Sequence, residues 1–191
     1  MRLLDAKGAT VFLDRDGTIN VDTGYVSNPD TLELIPGAGR AIRRLNDAGV
    51  KVVVVSNQSG VGRGMFTGAD VEAVNDRLAA LLRVDAGARI DAVYFCPHHP
   101  DDNCPCRKPM TLLAQRAVAE HGIELSRAYV VGDKASDVWL GRNLNVKTVL
   151  VLTGDGKKEL SKLNPAPDFV ADDLSGAVDM ILADLPFLKE R

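Results

Sequence analysis

Short runs rich in β-branched residues alternate along this chain with segments of helical period, and that alternation restricts it to parallel βαβ units. The runs are TVFLD (10–14), KVVVV (51–55), DAVYFC (91–96), AYVVG (128–132) and KTVLVL (147–152). Between the first two, Ala38, Ala41, Ile42, Leu45 and Ala48 repeat at helical spacing and Gly49 closes the run. Val71, Val74, Leu78, Leu81 and Leu82 do the same between the second and third. Helices are predicted near 110–121, stopping at Gly122, and near 135–144, carrying Trp139. KLNPAPD (162–168) reads as a loop before a short last strand and a terminal helix. A chain of 191 residues can bury one full core. The expected fold class is α/β: one domain over 1–191, a doubly wound, mostly parallel sheet with helices on both faces and no large cap domain.

Charge excludes several kinds of partner. Basic residues number 23 against 26 acidic ones, a net charge of −3. Nucleic acid or an anionic membrane surface would call for a basic excess. The longest apolar runs, such as VKVVVV (50–55), are too short to span a bilayer. MRLLDAKGAT (1–10) lacks the apolar stretch and cleavage site of a secretory leader. The three cysteines, crowded within 96–106, do not form a disulfide framework. The expectation is a cytoplasmic protein acting on a small molecule, and a monomer for want of a long exposed apolar helix.

In doubly wound sheets ligands bind beyond the carboxyl ends of the strands, near the point where strand order reverses. The first run ends in DRDGT (14–18), placing Asp14 and Asp16 at a tight turn. One such carboxylate suits a nucleophile and the other a general acid and base, with a hard divalent cation beside a phosphate. The plain alternative is an acidic turn. The second run leads into SNQSGVGRG (56–64), where Ser56 and the backbone N–H groups after it suit phosphate oxygens. Its glycine spacing is not a dinucleotide fingerprint. A flexible or close-packed loop is expected there, with Arg63 facing solvent or substrate. RKP (107–109) and GDKASD (132–137) follow the third and fourth runs. The first and fourth strands are neighbours in the common doubly wound order, so Asp133 would converge with Asp14 and Asp16. Lys108 would balance their charge and that of a transferring phosphoryl group.

DRDGT, SNQ, RKP and GDKASD, in this order at successive strand ends, resemble the four motifs of the haloacid dehalogenase superfamily of phosphatases. The resemblance covers nearly the whole chain. It implies that Asp14 attacks phosphorus to form an aspartyl phosphate, and that Asp16 protonates the leaving alcohol and then activates water. It further implies that Ser56 and Lys108 hold the phosphoryl oxygens. Mg²⁺ would be held by Asp14, Asp133 and the Asp16 carbonyl, with Asp137 supporting it from behind or through a water.

The cysteines have the spacing C-x-H, five residues, C-x-C. Cys96, His98, Cys104 and Cys106 supply the four ligands of a closed tetrahedral Zn²⁺ site. Buried free thiols are the strongest alternative. A Cys104–Cys106 disulfide would be too tight, and a nucleophilic thiol is redundant beside the carboxylates. His99 is a spare ligand; the resemblance favours His98. PHHPDDN (97–103) has too few apolar residues to order itself by burial, so the metal would be structural and would brace Arg107 and Lys108.

Within the superfamily, INVDTGYV (19–26) and SNQSGVGRGMF (56–66) resemble the D-glycero-D-manno-heptose 1,7-bisphosphate 7-phosphatase family. The resemblance implies removal of the 7-phosphate of a phosphorylated sugar destined for nucleotide-activated heptose and surface glycan. It places substrate contacts at Asp22, Thr23, Gly24, Tyr25, Ser56, Asn57, Gln58, Ser59, Arg107, Lys108 and Lys134. The short metal loop is also what histidinol-phosphate phosphatases have, and that family is the alternative. A zinc-knuckle binding module is disfavoured by the acidic loop, with Asp101 and Asp102, and by 5% aromatic residues. Arg107 is the first candidate for a second phosphate, since a guanidinium grips phosphate in bidentate fashion, and Arg63 is the second. Arg15 is expected to point away into a surface ion pair, His121 to serve its helix end, Trp139 to pack, and Lys157 and Lys158 to form a solvated turn.

Overall fold

The computed structural model describes Ala6 and residues 8–185. The reading of residues 1–10 as lacking a leader falls mostly outside them. Among the described residues six strands form one sheet: β1 (Thr10–Leu13), β2 (Lys51–Asn57), β3 (Ala92–Cys96), β4 (Ala128–Gly132), β5 (Lys147–Val151) and β6 (Phe169–Ala171). Their order is β3-β2-β1-β4-β5-β6, with every pairing parallel. The order reverses between β1 and β4, as the doubly wound reading expected.

Alternation along the strands sends successive side chains to opposite faces, and each face has its own core. On one face Val11 and Leu13 of β1, Val52 and Val54 of β2, and Val149 and Val151 of β5 pack under three helices. These are α1 (Ala38–Asp47), α2 (Gly68–Ala86) and α6 (Leu174–Asp184). On the other face Phe12, Val53, Val55 and Val130 meet α3 (Leu112–His121) and α4 (Ala135–Leu144). The Thr67 hydroxyl and the Asp70 carboxylate cap the start of α2 reciprocally.

Four details depart from expectation. β2 runs two residues further than predicted because Ser56 and Asn57 pair with Phe95 and Cys96 of β3. The helix expected near 110 starts at Leu112. Lys157 and Lys158 lie not in a turn but in a short helix, α5 (Gly156–Leu160), where they remain exposed. Trp139 is 38% exposed, because the buried face of α4 is formed by Val138, Leu140, Gly141 and Leu144.

Leu78, buried on α2 beneath the sheet, tests the core assignment. Leu78→Ala should cost about 2–5 kcal/mol in urea unfolding. Val84→Ala, at a side chain 86% exposed, should stay within about 0.5 kcal/mol of the parent. Equal losses would contradict the packing described.

Candidate active site

β1 delivers Asp14 to the sheet's carboxyl edge, where its N–H donates to the Val131 carbonyl of β4 at 2.9 Å. The chain then turns sharply at Gly17, whose φ is +85°. A Cβ on Gly17 would run into the Asp133 carboxylate, so only glycine lets the first and fourth strand ends approach.

Asp14, Asp133 and Asp137 are all buried, and their carboxylate oxygens lie within 4.8 Å of one another. Lys108, also buried, sits 2.6 Å from Asp14 and 2.6 Å from Asp137. Burial alone works against the charge on this lysine, but Asp137 and Asp14 outweigh it and its pKa is raised. Burial, then the neighbouring Asp14 charge, pushes Asp133 up to about 7. Asp137 is pushed up to about 6, chiefly by burial and against the pull of Lys108. Asp133 Oδ2 accepts from the Asp155 N–H at 2.8 Å, while Oδ1 is buried with no partner. Three carboxylates against one ammonium leave two negative charges over, the charge of one divalent cation, and one Asp133 oxygen is left without a partner. The residues fit Mg²⁺.

Asp16 is held quite differently. Its Oδ1 accepts from Arg15 Nε (3.1 Å) and Asn20 Nδ2 (2.9 Å); its Oδ2 accepts from Arg15 Nη2 (2.9 Å) and Gln58 Nε2 (2.8 Å). Arg15 has 0% exposure, and its Nη1 donates to Asn75 of α2 at 2.9 Å. This corrects the expected surface ion pair. Arg15 turns inward because its bidentate partner is the very next residue of the same tight turn. Asn20 and Asn75 had no signal of their own in the sequence; an arginine between two strand-tip aspartates was the available hint.

Ser56 is buried at the end of β2, accepting from Gln58 Nε2 at 2.7 Å. It lines an open cleft of about 250 Å³ with Asp14, Asp16, Asn57, Lys108, Lys134 and Ser136. Asn57 clasps the Lys108 backbone, accepting from its N–H at 2.9 Å and donating to its carbonyl at 3.2 Å. Gln58 is buried and turned onto Ser56 and Asp16 rather than toward the opening. Lys134 pairs with Asp22 at 3.0 Å. The turn from Asp22 is closed by a Gly24 N–H bond to Asp22 at 2.8 Å, with Thr23 and Tyr25 exposed above it. The Tyr25 ring lies 6.5 Å from Phe66, Arg63 is exposed, and Ser59 is half-buried. Arg107 lies beside a second cleft, lined also by Pro100, Cys104, Lys108 and Met110. Its Nη1 is buried with no partner. Lys108 borders both clefts.

The cysteine loop closes on itself. Cys96 Sγ lies 3.0 Å from Cys106 Sγ and 3.5 Å from Cys104 Sγ, and His98 Nδ1 lies 3.1 Å from Cys106 Sγ. Three thiols and an imidazole gathered within 4.8 Å of one another are the donor set of a closed tetrahedral site, so the residues fit Zn²⁺. His99 is turned out of the cluster; its ring accepts from the Asp101 N–H at 3.3 Å. The loop after β2 abuts this one: the Gly62 N–H donates to the Pro97 carbonyl at 2.7 Å, and a Cβ on Gly62 would strike main-chain atoms of residues 97–99.

Known proteins are similar to this chain in sequence and in fold. A sequence profile described as HAD-hydrolase-like matches residues 105–177. A D-glycero-D-manno-heptose-1,7-bisphosphate 7-phosphatase from Thermosynechococcus vestitus is 42% identical over 188 residues, covering 92% of this chain and 96% of the relative. The D-glycero-beta-D-manno-heptose-1,7-bisphosphate 7-phosphatase of Yersinia pestis is 39% identical, covering 92% of each. The crystal structure of the D,D-heptose 1,7-bisphosphate phosphatase of B. bronchiseptica, complexed with magnesium and phosphate, superposes with a TM-score of 0.85. It is 34% identical and covers 92% of this chain and 99% of that one. With relatives this similar along nearly its whole described length, the chain belongs to the heptose-1,7-bisphosphate 7-phosphatase family of HAD-like hydrolases.

Proposed function

We propose that this protein removes the 7-phosphate of D-glycero-D-manno-heptose 1,7-bisphosphate, working as a single-domain cytoplasmic monomer on a pathway to nucleotide-activated heptose. The observation that carries the reading is the Lys108 ammonium 2.6 Å from Asp14, lining a cleft that Asp16 and Ser56 also line. Among the described residues, no helix is long and apolar enough to cross a membrane.

Asp14 is the nucleophile. One of its carboxylate oxygens attacks phosphorus as the bond to the sugar oxygen breaks, giving an aspartyl phosphate. Lys108 stands beside the attacking carboxylate and offers its positive charge to the phosphoryl oxygens. Ser56 and backbone N–H groups after it hold those oxygens. Asp16 protonates the departing sugar oxygen, then takes the proton of the water that cleaves the aspartyl phosphate. Mg²⁺ on Asp14, Asp133 and the Asp16 carbonyl supplies positive charge that lets an anionic carboxylate meet an anionic phosphate. Asp137 holds Lys108 and thereby supports the ion site from behind. Asp22, Thr23, Gly24 and Tyr25 on one side, and Asn57, Ser59 and Arg63 on the other, frame the sugar with Lys134, while Gln58 acts from beneath through Ser56 and Asp16. The second phosphate goes to Arg107, whose buried, unpartnered Nη1 is a donor in want of an anion. Zn²⁺ on Cys96, His98, Cys104 and Cys106 shapes the loop and takes no part in the chemistry.

Phosphate release with Mg²⁺ present should be fastest from one anomer of heptose 1,7-bisphosphate and at least about tenfold slower from histidinol phosphate. The reverse preference would move the protein to the histidinol-phosphate family. Asp14→Asn should fold normally and lose turnover by a factor on the order of 10⁴ or more; retained activity would exclude the aspartyl phosphate.

Mg²⁺ at a hundredfold excess over its Kd should stabilise the protein by roughly 2.7 kcal/mol, read as a raised Tm. Asp133→Asn should abolish that shift, and an unchanged shift would place the ion elsewhere.

Cys104→Ser should lose bound zinc by elemental analysis and raise KM more than it lowers kcat. A normal KM in zinc-free protein would disconnect the loop from the substrate.

A further inference from the structure

Arg15 is completely buried, and its hydrogen bonds go to Asp16 and Asn75 rather than to the cluster of Asp14, Lys108, Asp133 and Asp137. A buried guanidinium is costly unless every donor is met. Here each of the three nitrogens has a partner: Nε and Nη2 clasp the two oxygens of Asp16, and Nη1 is anchored on Asn75 of α2. With Asn20 and Gln58 added, each Asp16 oxygen already accepts two hydrogen bonds from the protein. A carboxylate filled in this way cannot also reach a sugar oxygen, so some donors must let go.

The donors differ in what they would lose. Gln58 Nε2 has Ser56 Oγ as a second acceptor at 2.7 Å, and Asn20 Nδ2 has the Val21 carbonyl at 2.9 Å. Both amides can release Asp16 and stay bonded. Arg15 has no such alternative: two of its nitrogens end on Asp16 and the third is tied to a helix.

We propose that Arg15, anchored by Asn75, is a positioning residue that serves as the fixed pivot for Asp16. The two amides let go while the guanidinium keeps the carboxyl group within reach of the leaving oxygen. The inference rests on the reading of Asp16 as the general acid. In that step a new bond forms between Asp14 and phosphorus. The electron pair of the breaking P–O bond goes to the sugar oxygen, and the proton from Asp16 goes to the same atom. A misplaced acid slows the first phosphoryl transfer, the step that kcat/KM reports, only for substrates whose leaving group needs that proton. The water step that follows is common to all esters.

The test compares Arg15→Lys and Asn75→Ala with the parent on two esters, heptose bisphosphate and p-nitrophenyl phosphate, whose leaving group departs as an anion. For Arg15→Lys, kcat/KM on the sugar should fall on the order of 10- to 100-fold, while p-nitrophenyl phosphate stays within about threefold. On the sugar the loss should lie in kcat, with KM little changed. Asn75→Ala should show the same selective loss to a smaller degree. Asn75 is only half-buried, so this variant decides the matter if Arg15→Lys does not fold. Equal losses on both esters, a change confined to KM, or no loss would overturn the proposal. If p-nitrophenyl phosphate is not turned over by the parent, the kcat-against-KM split decides. A parent protein inactive on both esters would overturn the functional reading instead.

Discussion

The site is organised around one ammonium group. Lys108 lies between Asp14 and Asp137, 2.6 Å from each, where water does not dilute the attraction. Without it, three buried carboxylates would share one small volume and some would stay protonated, as the raised values of Asp133 and Asp137 already indicate. The position of that ammonium is itself set from outside. Asn57, the last residue of β2, brackets the Lys108 backbone with two hydrogen bonds, and Cys106 precedes it by two residues. Sheet edge, cysteine cluster and reaction centre therefore share a single segment of chain.

Two halves of the site obey different electrostatic rules. Around Asp14 the carboxylates outnumber the cations, an arrangement that invites a divalent ion. Around Asp16, only two residues along, every partner is a donor and one is a full positive charge. A turn of the chain thus separates an anionic basin from a cationic clasp, and the same side-chain type can hold two different tasks on either side of it.

The sequence carried the fold because its signals were local. Val11 to Leu13, Val52 to Val55 and Tyr129 to Val131 are strand-forming residues in short runs, and doubly wound order brings the ends of the first and fourth together. The cysteine cluster could be read too, since its members lie within one loop. What escaped was partner choice across long separations. Arg15 reaches Asn75, sixty residues away, and nothing in either neighbourhood announces the other. Charged residues are so rarely buried that a surface position was the natural expectation for Arg15. Trp139 misled for a related reason: aromatic character suggests a core, but it sits one position off the buried face of α4. Ser56 and Asn57 look like loop residues, and only pairing with β3 makes them strand.

The seam at Gly62 bears on how such a protein can change over generations. The loops after β2 and β3 meet there main chain to main chain, with no room for even one methyl group. A side chain at position 62 would have to displace the main chain of residues 97–99, so a change there would need a compensating shift in the loop after β3. Substitution is freer at Tyr25 and Arg63, whose side chains are exposed. The contact at Gly62 thus tolerates far less change than the outward-facing side chains do.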